Sequence, residues 1–464
     1  MNKLAQRIAP LLAALLLVAC STTPALVQPQ VAMPSAFKEA ADGTTWKTAQ
    51  PAERQARGQW WLAFNDPALT ALIDEATRAN ASLAGAAARV RQARALAGIA
   101  EADRTPQLGV GLGAQRSGAE GVPQVRSYQA RLSASYEIDL FGRVGASVNA
   151  AQADAAAADA TYKSVLLSLQ ADVAQTYFRL RETDAELATL ARTVDLRAQS
   201  VKVNQSRYDN GDIGEFDLAR ARTELAAARA EAIGLQRQRV RNENALAVLL
   251  GKPAAMFNAA ASPLEDRLAL PVVPPGVPSM LLERRPDISA AQRAMEASNE
   301  RIGVARAAMF PALSLTGGLG TESSGVSNLF KWSARSWVLG ALLSAPIFDG
   351  GRNKNNVARS EAVLEESVAA YRQNVLVAFA EVEDNLAGLR ILSGQAEQLD
   401  AAVVSARRSA DLAQKLYQAG RSSYLDLLDA QRNLAASERY AVQLRGERAV
   451  TTVALIRSLG GGWE

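Results

Sequence analysis

From Leu166 onward an apolar residue returns at every seventh position: Leu166, Val173, Leu180, Leu187, Val194 and Val201. A sustained seven-residue beat predicts helices packed along a shallow left-handed seam, so these rows read as core and not as a binding stripe. Between about Val144 and Gln205 there is neither proline nor an internal turn signal, and the Ala-rich stretch from Ala146 to Ala160 favours helix and close helix approach. One continuous helix over that span would run roughly 90 Å, far more than a globular domain needs. The pattern breaks at Tyr208-Asp209-Asn210-Gly211-Asp212, where Asn and Gly tolerate positive φ, and a returning helix is expected from about Glu215 to Leu250.

Ahead of that helix the period changes to two. Leu108, Val110, Leu112 and Ala114 alternate with Gln107, Gly109, Gly111 and Gly113, and Tyr128, Ala130, Leu132, Ala134 and Tyr136 alternate with polar neighbours. This predicts a strand pair over about 106–138, joined by the turn-rich Arg116-Ser117-Gly118-Ala119-Glu120-Gly121.

The unit then repeats. Arg143, Tyr162, Tyr208, Gly211, Asp217, Leu218 and Leu225 recur as Arg352, Tyr371, Tyr417, Gly420, Asp426, Leu427 and Leu434, all at an offset of 209. Upstream, Pro106-Gln107-Leu108 matches Pro311-Ala312-Leu313 at an offset of 205, so the second copy has four extra residues, expected in a loop. A second strand pair is therefore expected over about 311–347 and a second long helical hairpin over about 352–459, with a C-terminal tail. Repeat 1 spans 61–250, a proline-rich linker 251–285, and repeat 2 286–464.

Strands of ten to twelve residues match the length that crosses a bilayer when tilted, and Trp332 and Trp337 are placed like interfacial aromatics. Four strands cannot close a barrel, because small barrels start at about eight and an open edge in lipid strands its backbone polar groups. Several chains must share one barrel: two would give about eight strands with a filled lumen, three about twelve and room for a pore.

Composition narrows the chemistry. The chain has no histidine, which removes the usual general base and transition-metal ligand, and no phosphate loop or nucleophile elbow replaces it. No catalytic or metal site is expected. Lys3 and Arg7, the apolar run Ile8 to Val18, and Leu17-Val18-Ala19-Cys20 read as a secretion signal (1–19). The single cysteine, Cys20, then makes sense as an acylation site opening an extended segment, 20–60, and a covalent lipid is the only non-protein group expected. Removing the signal lowers the formal charge from +4 to +2, and without a basic run or motif nucleic acid is not an expected partner.

Tyr136-Glu137-Ile138-Asp139-Leu140-Phe141-Gly142-Arg143, its partner Pro346-Ile347-Phe348-Asp349-Gly350-Gly351-Arg352, and Tyr417-x-x-Gly420-x5-Asp426-x-x-Asp429-Ala430-Gln431 resemble the TolC superfamily of outer-membrane efflux proteins, in its OprM-like (NodT-type) lipoprotein branch. The Leu-Val-Ala-Cys20 segment resembles a lipobox, and Ser21 after it implies outer-membrane delivery. The resemblance covers about Trp60 to Leu459. It implies a mixed α and transmembrane β fold. Three chains would give a twelve-stranded barrel continued by a long α-helical barrel across the periplasm, with a mixed equatorial region. It also implies docking to a periplasmic membrane-fusion adaptor and an inner-membrane pump, of RND type, for multidrug efflux.

In that family the periplasmic tip closes by inward coiling, and Asp426 and Asp429 align with its acidic lumen residues. The plainer reading is that both aspartates simply favour the start of a helix behind Ser422 and Ser423. Asp217 and Tyr417 match a polar pair that latches the closed tip. The family arginine is missing, since Ser422 stands there and Arg421 sits one residue earlier. Arg220, the repeat-one counterpart of Asp429, is a candidate opposite-sign contact. Tyr208, Gly211, Tyr417 and Gly420 are candidate adaptor contacts, or simply end one helix before the next. A rival reading is a lipid-anchored periplasmic coiled-coil spacer without a pore, which leaves the matched strand pairs unexplained.

Overall fold

A computed structural model describes residues 22–27, 29, 37–38, 58–121, 123–264, 270–271, 273 and 284–461. Cys20 lies outside the described residues, as do most of the N-terminal segment and much of the linker. In chain order the elements are α1 (Pro67–Ala79), α2 (Ala81–Ala102), β1 (Gln107–Ser117), β2 (Val125–Ile138), α3 (Arg143–Asp209), α4 (Glu215–Leu249), α5 (Pro286–Ala307), β3 (Ala312–Ser323), β4 (Arg335–Ser344), α6 (Arg352–Gln418) and α7 (Tyr424–Ser458). The long helices match between repeats: α3 and α6 have 67 residues each, α4 and α7 35 each. The β3–β4 connection, 324–334, is four residues longer than the β1–β2 connection, 118–124, which places the inserted residues in a loop. Strand β4 starts at Arg335 and ends at Ser344, short of the expected Ile347, because Pro346 has no N–H to donate to the ladder.

The chain forms two compact units, with α3 and α6 contributing to both. The first unit, built from the described residues of Met1–Val31, Ala87–Thr161 and Asp287–Asn374, holds one antiparallel sheet in the order β1-β2-β3-β4. Each inner strand pairs on both sides without a break, and the repeats meet where β2 pairs β3, from Tyr128↔Ser323 to Ile138↔Leu313.

The Asp139-x-x-Gly142-Arg143 pattern is the strand-to-helix junction. Asp139 accepts from the backbone N–H groups of Val144 (3.1 Å) and Gly145 (2.7 Å), satisfying donors at the start of α3, while Gly142 takes φ 73°. Arg143 clamps Glu137 with two bonds of 2.8 and 2.6 Å. At the matching place Asp349 accepts from Gly351 and Asn353 N–H, both at 2.9 Å, with Gly351 at φ 87°. Phe141 stacks on Phe310 of the α5–β3 turn at 4.8 Å, and the Asn353 side chain donates to Ala308 O of that turn at 3.1 Å. The 22–27 strip is pinned here: the Thr22 hydroxyl lies 3.0 and 2.9 Å from the Phe141 and Gly303 carbonyls, and Asn299 donates to Pro24 O at 2.8 Å. Gly303 must lack a side chain because a Cβ would collide with Thr23.

The second unit carries the larger apolar core. Trp60, Trp61 and Phe64 of a short 3-10 turn pack with Leu69 and Ile73 of α1 against Phe178 and Leu180 of α3. Asp66 caps α1 through the N–H groups of Ala68 and Leu69 and also accepts from the Tyr177 hydroxyl at 2.7 Å. Beside this core a buried polar clasp fastens the start of the linker. Asp184, with a side chain 1 % exposed, pairs with Arg239 at 2.7 Å and Arg181 at 3.4 Å and accepts from Ser262 N–H at 3.0 Å. Arg181 and Arg239 in turn donate to the carbonyls of Ala260 and Ala259. Every charge in the clasp is paired, so removing one partner strands the others. Asp184→Asn is expected to destabilise the second unit by about 3 kcal/mol, measured as an earlier loss of helical circular dichroism on urea titration.

Candidate functional site: the bare sheet and the helix turns

The register puts side chains of one parity on a single face of the sheet. Leu108, Val110, Leu112 and Ala114 of β1 line up with Ala134, Leu132, Ala130 and Tyr128 of β2. Leu313, Leu315 and Leu319 of β3 and Trp337, Leu339, Ala341 and Leu343 of β4 continue that face. Among the described residues nothing covers its centre: Val110 is 81 % exposed, Leu112 83 % and Leu339 78 %. The opposite face is small and polar, with Gly109, Gly111, Gly113, Gln129, Arg131, Ser133, Ser135, Thr316, Gly318 and Glu322, although Val338 and Leu342 also fall on it. An apolar outer face and a polar inner one, alternating residue by residue, is the pattern of a lipid-embedded barrel wall. Among the described residues both outer edges are bare, since β1 bonds only to β2 and β4 only to β3. Trp332 and Trp337, 78 % and 76 % exposed, lie near the loop side, Trp332 beneath the Arg335 guanidinium at 3.5 Å.

The helix turns show what the Tyr-x-x-Gly pattern does. Gly211 (φ 80°) and Gly420 (φ 70°) donate to the carbonyls of Tyr208 and Tyr417, and the next N–H groups, of Asp212 and Arg421, reach Arg207 O and Leu416 O at 2.8 Å. This paired closure with a left-handed glycine ends both long helices in the same way. The restarts differ. Ser423 and Asp426 form a reciprocal capping box at the start of α7, whereas α4 starts from Gly214 without a side-chain cap. Bonds from the Ser423 hydroxyl and N–H hold the Asp426 carboxyl below the usual carboxylate range. The helix-start role is thus realised in Asp426. Asp429, one turn on, is exposed and accepts from Asn433.

The expected Asp217–Tyr417 contact does not form within the chain. Tyr417 is 6 % exposed, donates to Asn204 Oδ1 at 2.6 Å, and packs with Tyr424, Leu427, Leu428 and Ala221 as a small tip core. Arg207 lies over its ring at 5.0 Å. Asp217 sits in the first turn of α4, and Arg421 is exposed with its backbone spent on the helix stop. Arg220 lies over Phe216 and is not paired with Asp429 in the chain. Tyr208, the repeat-one counterpart of Tyr417, is exposed instead of buried. Asn204 escaped the sequence reading, since an isolated Asn in a helical row carries no signal of a partner 213 residues away.

Among the described residues no cluster of His, Cys, Asp or Glu could hold a metal ion, and no helix is long and apolar enough to cross a membrane. The model of the outer membrane efflux protein family matches twice, over residues 72–252 and 277–461. The chain belongs to the outer membrane efflux protein family. It is 35 % identical over 476 residues to the outer membrane protein OprJ of Pseudomonas aeruginosa, covering 100 % of this chain and 97 % of the relative. It is 33 % identical over 460 residues to the cation efflux system protein CusC of Escherichia coli, covering 99 % of each. The crystal structure of the open state of the Neisseria gonorrhoeae MtrE outer membrane channel superposes with a TM-score of 0.85 at 31 % identity, covering 96 % of this chain and 98 % of that one. The two family matches coincide with the two sequence repeats.

One acidic group of this efflux protein's helices stands apart. Glu182 of α3 lies against Gly446 of α7, where a Cβ would collide with its carboxylate. Burial first, then the charges of Glu186 and Glu447 against the weaker pull of Arg179, push Glu182 up from 4.5 to about 7. With the folded value above the unfolded one, the protonated native form is favoured. The contact is therefore intact below the unfolded value and weakens as pH rises through about 7. The loss is on the order of 2 kcal/mol after allowing for solvent screening. Urea midpoints should fall between pH 5 and pH 8 in the unsubstituted protein, and Glu182→Gln should flatten that slope.

Proposed function

We propose that the chain is the outer-membrane exit duct of a tripartite efflux pump, working as a homotrimer. The observation that carries this reading is the sheet: four strands, one largely exposed apolar face and two bare edges. In lipid each unpaired backbone group costs several kcal/mol, so β4 of one copy must pair with β1 of the next until the cylinder closes. Three copies give a barrel wide enough for a pore, lined by the glycine, serine and glutamine face. The uninterrupted helices α3 and α6 are suited to continue that duct through the periplasm. Cys20 bears the lipid, and the tip turns at Tyr208, Gly211 and Gly420 meet a periplasmic adaptor that links the duct to an inner-membrane pump of RND type. The duct conducts drugs or other small molecules and catalyses nothing. A coiled-coil spacer has no use for such a sheet.

The gate of this duct is the helical tip. Asp426 and Asp429 share the exposed side of α7, so a trimer brings six carboxylates to the neck. Two carboxylates about 8 Å apart repel by roughly 2 kcal/mol at an effective dielectric near 20, and cations or Arg220 of a neighbouring copy would offset this in the closed state. Purified protein should migrate as a trimer and conduct ions in planar bilayers; a non-conducting monomer supports the spacer. Asp426→Ala with Asp429→Ala should raise the resting conductance severalfold and abolish its sensitivity to divalent cations. Asp429→Ala alone, which leaves the α7 cap intact, separates gating from helix fraying. Unchanged conductance and cation sensitivity would sink the gate assignment and leave the duct standing.

A further inference from the structure

The loop-side ends of the strands carry a feature that the duct does not require. Following the outward parity to the last position before each loop gives Arg116 in β1, Arg126 in β2 and Arg335 in β4, with Ser323 in β3. At the helix-side ends the outward positions are Leu108, Ile138, Leu313 and Leu343, all apolar. The lipid-facing wall is thus basic along one rim only. Lys331, in the longer loop, adds a further exposed cation there.

Three facts set these arginines apart from ordinary surface charge. Arg116 and Arg126 are directly opposite each other in the β1–β2 register, a like-charge pair that destabilises a sheet unless an anion lies between. No carboxylate among the described residues pairs with Arg116, Arg126 or Arg335; Arg116 reaches only the Gln124 amide, and Glu322 is turned to the inner face with Ser127. Arg335 lies over the Trp332 ring at 3.5 Å, one outward step from Trp337, so a guanidinium sits where an aromatic belt meets the headgroup layer.

Resting on the reading that this sheet spans the outer membrane with its helices on the periplasmic side, we infer that the basic rim binds the phosphates of an outer-leaflet lipid headgroup of the lipid A class. A guanidinium presents paired donors to phosphate oxygens, and the apolar face below it accepts the acyl chains of the same molecule. An anion between Arg116 and Arg126 relieves their repulsion, and Arg335, flanked by its tryptophans, offers a second phosphate contact on each copy.

The test uses the full-length trimer in phosphatidylethanolamine bilayers doped with bisphosphoryl lipid A, dephosphorylated lipid A or phosphatidylglycerol. Co-purifying lipid is counted by mass spectrometry. Bisphosphoryl lipid A should be retained at least about tenfold over either alternative, and Arg116→Gln, Arg126→Gln and Arg335→Gln should each lower retention by about fivefold. Single-channel conductance should stay unchanged, which shows that the variants still assemble. Equal retention of the two lipid A forms, or of bisphosphoryl lipid A by the unsubstituted protein and the triple variant, overturns the site. Retention of phosphatidylglycerol equal to that of lipid A overturns its assignment to the outer leaflet. A failure of the unsubstituted protein to conduct overturns the spanning reading instead.

Discussion

A row of backbone N–H and C=O groups with no partner is the constraint from which the rest follows. Strands β1 and β4, of 11 and 10 residues, each offer such an edge, and among the described residues nothing covers either. In water the edges would invite aggregation. In lipid they are intolerable, so the sheet makes sense only as a sector of a closed wall completed by identical copies. The same geometry explains why so many glycines and serines face inward: the inner face is spared the need to pack, and small residues leave a lumen open.

Much of this was legible in the chain. Period-two stretches and period-seven rows identify strands and helices without any tertiary information, and the offset of 209 fixes two copies of one unit. The jump from 205 to 209 confined the inserted residues to the stretch between Leu315 and Arg352 and suggested a loop, and the structure puts them between β3 and β4. Strand count alone then demanded more than one chain, because the physics of the bilayer admits no other closure.

The tips were harder to read for a physical reason. Their sequence signals are mostly local backbone devices: a left-handed glycine to stop a helix and a serine with an aspartate to restart it. Those same residues also look like pore-lining charge, and pattern alone cannot separate the two roles. Contacts that join the repeats, Tyr417 to Asn204 at 2.6 Å and Arg197 to Gln431 at 2.8 Å, depend on which helix faces meet after folding, which no spacing encodes. The rim arginines escaped notice for the opposite reason, since each is unremarkable until the register places all three on one face.

The packing also explains how a tip could change shape without unfolding its own unit. Ala221, Tyr417, Tyr424, Leu427 and Leu428 form a cluster separate from the much larger one around Phe178, so local rearrangement exposes few apolar groups. Of the ion pairs that tie α4 to α7, Glu231 with Arg439 lies on half-exposed side chains, where such a pair is worth about 1 kcal/mol or less, whereas the Glu224 that meets Arg432 is mostly buried. The Asp184 clasp, by contrast, is buried and fully paired, and it grips the linker within the same unit. The clasp thus holds its part of the unit more firmly than the half-exposed Glu231–Arg439 pair holds α4 to α7.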